Sequence, residues 1–130
     1  MSGYILDTHA LIWWWTDDPM LPFELRDIIL ADETIIGLSA ASAWEIATKC
    51  RIGKLPGGQP LVDNFEDWRE ADDFFSLPVT VDHGLLAGSL PGDHRDPFDR
   101  MIAAQAIIED LTVITRDPAL AALGCRVVWE

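Results

Sequence analysis

"GYILDTHALIWWWTDD", residues 3 to 18, runs from an apolar, strand-like segment into one acid, Asp7, and on into a helix-like stretch carrying Trp13, Trp14 and Trp15. A carboxylate entering a hydrophobic interior is costly unless it is paired, hydrogen-bonded or bound to a metal. The segment therefore reads as a strand feeding a helix, with a charge at the junction whose partners lie elsewhere in the chain. The same pattern recurs downstream. Apolar runs of strand length occur at residues 4–6, 34–38, 77–81, 111–115 and 126–129. Helical patterns fill residues 11–15, 22–31, 40–52, 64–75, 83–89, 97–109 and 118–123, with Gly53 and Gly124 placed as helix C-termini require. Alternation of this kind predicts an α/β fold, three layers deep, with a central, mostly parallel sheet of about five strands. No repeat, linker or low-complexity segment divides the chain, so residues 1–130 read as a single domain.

The 130 residues are 49% hydrophobic and 24% charged, enough for a sizeable core. "MSGYILD" lacks the basic start and long apolar stretch of an export signal, and no run approaches a membrane span, which predicts a cytoplasmic location with no membrane partner. Cys50 and Cys125 lack zinc-site spacing and read as buried thiols. The net charge of −13 argues by itself against a phosphate-tracking surface, which normally needs clustered cations. Divalent cations held by carboxylates would reverse that sign locally, and a basic protein partner would also use the acidity.

In parallel α/β sheets, ligand chemistry gathers outside the carboxyl ends of the strands. Asp7 follows the first strand, Ser39 the second, and Thr115-Arg116-Asp117 closes the fourth. Glu45 lies about two turns into the helix after Ser39, and Asp96 and Asp99 flank the start of a later helix. Each acid also has an ordinary structural reading. Asp7, Asp96 and Asp117 are placed as helix N-caps, and Asp99 as the third residue of a capping box. Glu45 stands four residues before Lys49, and Asp96 four before Arg100. Yet Glu45 is the only acid between Thr34 and Val62, where the chain's average would give about five. Four acids on one rim are explained together by shared ligation of a hard cation, Mg²⁺ or Mn²⁺. His9, His83 and His94 form no ligand set and read as surface residues or as neighbours of the ligands. No dinucleotide, P-loop or serine-hydrolase motif occurs, and "LPGGQPLVD" reads as a loop.

"LDTHALIWW" (6–14), "SAASAWEIATKCRIGKL" (39–55), "HRDPFDRMIAAQA" (94–106) and "LTVITRD" (111–117), in this order and spacing, resemble the PIN-domain family, specifically its VapC-type toxins of bacterial toxin–antitoxin pairs. The resemblance implies a metal site of Asp7, Glu45, Asp99 and Asp117, with Asp96 as a cap or neighbour. It implies a toxin that is a Mg²⁺- or Mn²⁺-dependent endoribonuclease, usually a homodimer, held by a cognate VapB-type antitoxin that covers the active site. In that chemistry the ion orients and deprotonates a water for in-line attack on an RNA phosphodiester, leaving 5′-phosphate and 3′-hydroxyl ends. The alternative is a catalytically silent PIN scaffold that only binds protein. A haloacid-dehalogenase phosphatase would want an aspartate where His9 stands, and a receiver module a lysine late in the chain, whereas the only lysines are Lys49 and Lys54.

Arg95, Arg100 and Arg116 adjoin these acids, and Lys49, Arg51 and Lys54 follow Glu45. They serve flanking phosphates, or Lys49 and Arg100 merely neutralise Glu45 and Asp96. Three consecutive tryptophans on a helix point about 100° apart and cannot share one core stripe. Either one of them reaches a surface and, with Trp44 or Trp68, meets a dimer or antitoxin partner, or all three wedge between helices. Base stacking has no positional support in the sequence.

Overall fold

The computed structural model describes residues 2–129. Its elements follow the chain as β1 (Ser2–Leu6), α1 (Thr8–Trp15), α2 (Phe23–Leu30), β2 (Thr34–Ser39), α3 (Ala40–Arg51), α4 (Gln59–Asp63), α5 (Phe65–Ala71) and β3 (Phe75–Leu77). They continue with α6 (Val81–Ser89), α7 (Pro97–Glu109), β4 (Thr112–Ile114), α8 (Pro118–Ala122) and β5 (Val127–Val128). The five strands form one sheet in the order β3-β2-β1-β4-β5, and every pairing is parallel.

Side chains alternate across a strand, and a sheet covered on both sides must be apolar on both. Ile5 and Val113 enter one core with Ile102, Ala103, Ala106 and Leu120 of α7 and α8. Their neighbours Leu6 and Ile114 enter the opposite core with Leu11, Leu25 and Ile46 of α1, α2 and α3. Two cores on the two faces of one sheet make the three layers expected. In β2, a Cβ on Gly37 would stand 2.5 Å from the Phe75 ring, so glycine is what lets β3 bring its aromatic residue over the sheet.

Register places the site. Leu6 pairs with Ile114 and Ser39 with Leu77, so the carboxyl ends of β1, β2, β3 and β4 lie along one rim. The chain steps outward from β1 to β2 to β3 and then returns to lay β4 on the other side of β1. The strand order therefore reverses between β1 and β4, where open α/β sheets present their crevice.

Gly53 (φ 77°) and Gly124 (φ 100°) do end helices, in the left-handed conformation that glycine adopts freely. Three local expectations fail. The third strand is Phe75–Leu77, because Pro78 has no N–H for a ladder and Thr80 caps α6 instead of extending a strand. The helix expected over residues 64–75 ends at Ala71, since Asp73 turns left-handed (φ 58°) and releases Phe74 and Phe75 toward the sheet. Within "LPGGQPLVD", Gln59–Asp63 forms a short helix with proline in its first turn. Cys125 is buried, but Cys50 is only half-buried. No helix among the described residues is long and apolar enough to cross a membrane.

Candidate metal centre

Asp7 leaves β1 into the first turn of α1 and is 4% exposed. Its Oδ1 accepts the Ala10 N–H at 2.8 Å and its Oδ2 accepts the Thr115 hydroxyl at 2.5 Å. Thr115 in turn accepts the Asp117 N–H at 3.0 Å, so one buried hydroxyl ties the ends of β1 and β4 together. Asp117 is exposed and caps α8 through Ala119 N–H at 2.9 Å. The cap leaves one Asp117 oxygen free, whereas both Asp7 oxygens already accept a hydrogen bond and would offer a cation their remaining lone pairs. Asp7 and Asp117 line the same cavity.

Glu45, on α3, is 2% exposed, so its contact with Lys49 is no surface pair. Its Oε2 stands 2.5 Å from Lys49 Nζ, while Oε1 is buried without a hydrogen-bond partner among the described residues. Asp99, on the first turn of α7, is half-buried and meets His94 Nε2 at 2.9 Å. Asp96 caps α7 through the N–H groups of Phe98 and Asp99, which accounts for it as a cap.

The electrostatics link three of these acids. Burial pushes the Asp7 carboxyl up to about 6, against the lowering effect of its Thr115 and Ala10 hydrogen bonds and nearby His9, and the charge of Asp99 raises it further. Asp99 is also held above the usual carboxylate range, first by burial and then by the charges of Asp96 and Glu45. Like charges gathered in a low-dielectric rim destabilise one another unless a cation lies among them. An all-oxygen donor set with a buried, partnerless Glu45 oxygen fits a hard divalent ion. Asp7, Asp99, Asp117 and Glu45 are the residues that would hold it. Among the described residues, however, no three acid, histidine or cysteine side chains are already grouped to hold a metal. The reason is visible in their contacts: Asp99 is turned to His94, Glu45 to Lys49, and Asp117 to α8.

Several residues that the sequence reading left without a role fix this arrangement. Thr115 bridges β1 and β4; the signal was a hydroxyl two residues before Asp117 at a strand end. Thr8 and Ser42 hydroxyls meet at 3.0 Å and join α1 to α3. Ser39 donates to Gln105 Oε1 at 2.5 Å, and Gln105 donates to the Pro78 carbonyl, tying β2 to α7. These buried links hold together the three helices that carry Asp7, Glu45 and Asp99.

Arg100 makes no ion pair with Asp96 among the described residues. Its guanidinium donates to the carbonyls of Ala87, Leu90 and His94, one bond from each nitrogen, and closes the 90–94 loop. His83 is neither a surface residue nor a neighbour of the site. It is 1% exposed; Nδ1 accepts Thr80 N–H in a capping box, so Nε2 carries the proton toward Glu109 Oε2 at 2.8 Å. Among the tryptophans, Trp13, Trp14 and Trp15 are all half-buried. The indole N–H groups of Trp14 and Trp15 both donate to Asp72 Oδ2, and Trp15 packs edge-on against Phe65 and Trp68. Trp44 is 61% exposed and braced by Phe98.

Over 64 residues the chain is 41% identical to "Ribonuclease VapC16" of Mycobacterium tuberculosis (strain ATCC 25618 / H37Rv), a match covering 49% of this chain and 44% of that protein. The chain thus spans less than half the length of the curated relative it matches. Its fold is similar to chains in the crystal structure of VapBC2 from Rickettsia felis bound to a promoter DNA fragment (TM-score 0.73, 16% identity, 98% of this chain and 99% of that one). It is also similar to VapBC-1 from nontypeable Haemophilus influenzae (TM-score 0.70, 18% identity, 97% and 96%). The PIN domain family model matches residues 4–124, so the chain whose acids line this rim belongs to the PIN-domain family.

Proposed function

We infer that this chain, read as one PIN-like unit over residues 1–130, is the toxin of a toxin–antitoxin pair, a Mg²⁺- or Mn²⁺-dependent endoribonuclease. The carrying observation is Glu45: a fully buried carboxylate with a partnerless oxygen, whose charge acts on Asp99 at the mouth of the sheet crevice. The partial match to a curated ribonuclease and the VapBC fold neighbours support the same reading.

A divalent ion held by Asp7, Glu45, Asp99 and Asp117 would supply the positive charge that activates water and stabilises a pentacoordinate phosphorus. The chain's own residues prepare for it. Ala10 N–H and the Thr115 hydroxyl aim Asp7 from the floor of the crevice, leaving no freedom for its carboxylate to rotate. His94 holds one Asp99 oxygen in place and Lys49 one Glu45 oxygen, so both carboxylates are oriented for the ion they would bind. Water as nucleophile leaves the substrate 2′-OH out of the chemistry, so selection of RNA falls to shape and contacts. Products would carry 5′-phosphate and 3′-hydroxyl ends. We further read the toxin as a cytoplasmic homodimer whose cognate VapB-type antitoxin covers this rim.

The test is cleavage of a pooled transfer and ribosomal RNA preparation with Mg²⁺ or Mn²⁺ and with chelator, wild type against Asp99→Asn. Products with 5′ phosphates that vanish with chelator and in the variant support the reading. A second reading, a silent PIN scaffold, draws on the lack of a ready-grouped ligand trio among the described residues. A scaffold would show no metal-dependent stabilisation in a titration followed by thermal unfolding, and Asp99→Asn would leave its protein binding intact.

A further inference from the structure

The cavity beside the acids has two kinds of wall. The acids Asp7 and Asp117 line it together with His9, Trp13 and Arg116, around a volume of about 300 Å³. That is the small end of ligand-site sizes and suits one nucleotide, not a duplex. Arg116 is exposed and, like Arg51 and Arg95, makes no hydrogen bond or ion pair among the described residues, whereas the guanidinium groups of Arg100, Arg26, Arg69 and Arg126 are engaged; of those three free arginines it is the one that lines this cavity. Trp13 is fixed from behind by Trp129, edge-on at 5.8 Å. In front of it stands the exposed imidazole of His9, one helical turn earlier on α1, at a ring separation of 5.8 Å and a tilt of 34°. The two rings make an open wedge. A base sandwiched between parallel rings needs about 7 Å, two stacking distances of about 3.5 Å, so a small swing of the exposed His9 admits one.

We propose that this pocket is the subsite for the nucleotide next to the scissile phosphate, its base stacked between Trp13 and His9 and its phosphate held by Arg116. The inference rests on the ribonuclease reading for its choice of ligand and deepens it. It resolves the conflict between a net charge of −13 and a polyanionic substrate: one free guanidinium and two aromatic faces act within the cavity that the acids share. An unpaired base is required, because a base held in a helix cannot enter the wedge. The activity selects single-stranded segments or loops for that reason.

The test is anisotropy titration of a fluorescein-labelled, mixed-sequence ten-nucleotide single-stranded RNA. It is run in calcium, which carboxylates bind in a looser geometry than magnesium demands. Wild type is compared with His9→Ala, Arg116→Ala and Arg126→Ala; Arg126 is an exposed cation paired with Asp110 at the opposite rim of the sheet. Arg116→Ala is expected to weaken binding about tenfold and to flatten the log–log salt slope by about 0.7, one phosphate contact. His9→Ala is expected to weaken it about fivefold, a loss that disappears on RNA made abasic at the seated position. Arg126→Ala is expected to stay within twofold of wild type. Equal losses in the Arg116 and Arg126 variants, or a His9 effect that persists on every abasic RNA, would overturn the proposal. So would wild-type binding by both pocket variants, which would leave the cavity to a side chain of a protein partner. Binding with the expected pattern but no cleavage in Mg²⁺ or Mn²⁺ would keep the subsite and sink the nuclease reading, and cleavage without the pattern would do the reverse.

Discussion

At the residue scale, Asp7 shows what the site costs the fold. Burial raises its carboxyl from 3.8 to about 6, so folding favours the neutral acid. The stability this group contributes is fully present below about pH 3.8 and is lost as pH rises through about 6, a difference of about 3 kcal/mol at neutral pH. Asp7→Asn removes the charge but can accept only one of the two hydrogen bonds from Ala10 and Thr115. Denaturant unfolding in chelator at pH 7.5 should therefore show the variant more stable than wild type by about 1–2 kcal/mol, and at pH 4 no more stable or slightly less. Thr115→Val, nearly the same shape, deprives both Asp7 and the Asp117 N–H of their partner. Loss of about 1–3 kcal/mol at neutral pH is expected, and, on the proposed ribonuclease reading, the acid limb of a cleavage pH profile should move upward because one lowering influence on Asp7 is gone.

At the scale of elements, two joints decide where the acids point. Arg100 of α7 gathers three carbonyls from the end of α6 and the 90–94 loop, the same loop that carries His94 to Asp99. Arg100→Gln should cost about 2–3 kcal/mol in urea unfolding and release amide protection around residues 90–94, because buried carbonyls lose a charged donor. A lysine there should rescue little of it, since one ammonium cannot span three carbonyls. The second joint is Gly37 under Phe75. Gly37→Ala should destabilise by about 1–3 kcal/mol through overpacking, and Phe75→Leu in the same chain should recover part of that loss, a coupling a double-mutant cycle would read.

For the molecule as a whole, the proposed metal site would make a divalent cation a folding ligand. An ion present at a hundred times its dissociation constant adds about 2.7 kcal/mol. Thermal unfolding of wild type should rise by several degrees with Mn²⁺ beyond the effect of monovalent salt at equal ionic strength. Asp7→Asn and Asp99→Asn should keep the salt response and lose the specific increment. A general screening effect would instead raise all three proteins alike.

The sequence by itself determined the alternation of strands and helices, the faces of the sheet and the rim on which Asp7, Asp99 and Asp117 emerge. These follow from short-range physics: apolar runs of strand length, proline after an acid at a helix start, glycine at a helix end. Glu45 was legible too, as a lone acid in an apolar helix. Tertiary structure alone decided which polar groups meet across separate elements. Thr115 acquires its role only because β4 returns beside β1, and 108 positions then separate it from the carboxylate it supports. Arg100 looked like a partner for Asp96 until the 90–94 loop folded over it. The third strand slipped because Thr80 and His83 cap a helix, a choice sealed by Glu109 on another element. Local propensity can place a side chain on a face or a rim, but hydrogen-bond partners across the sheet exist only once non-neighbouring segments have met.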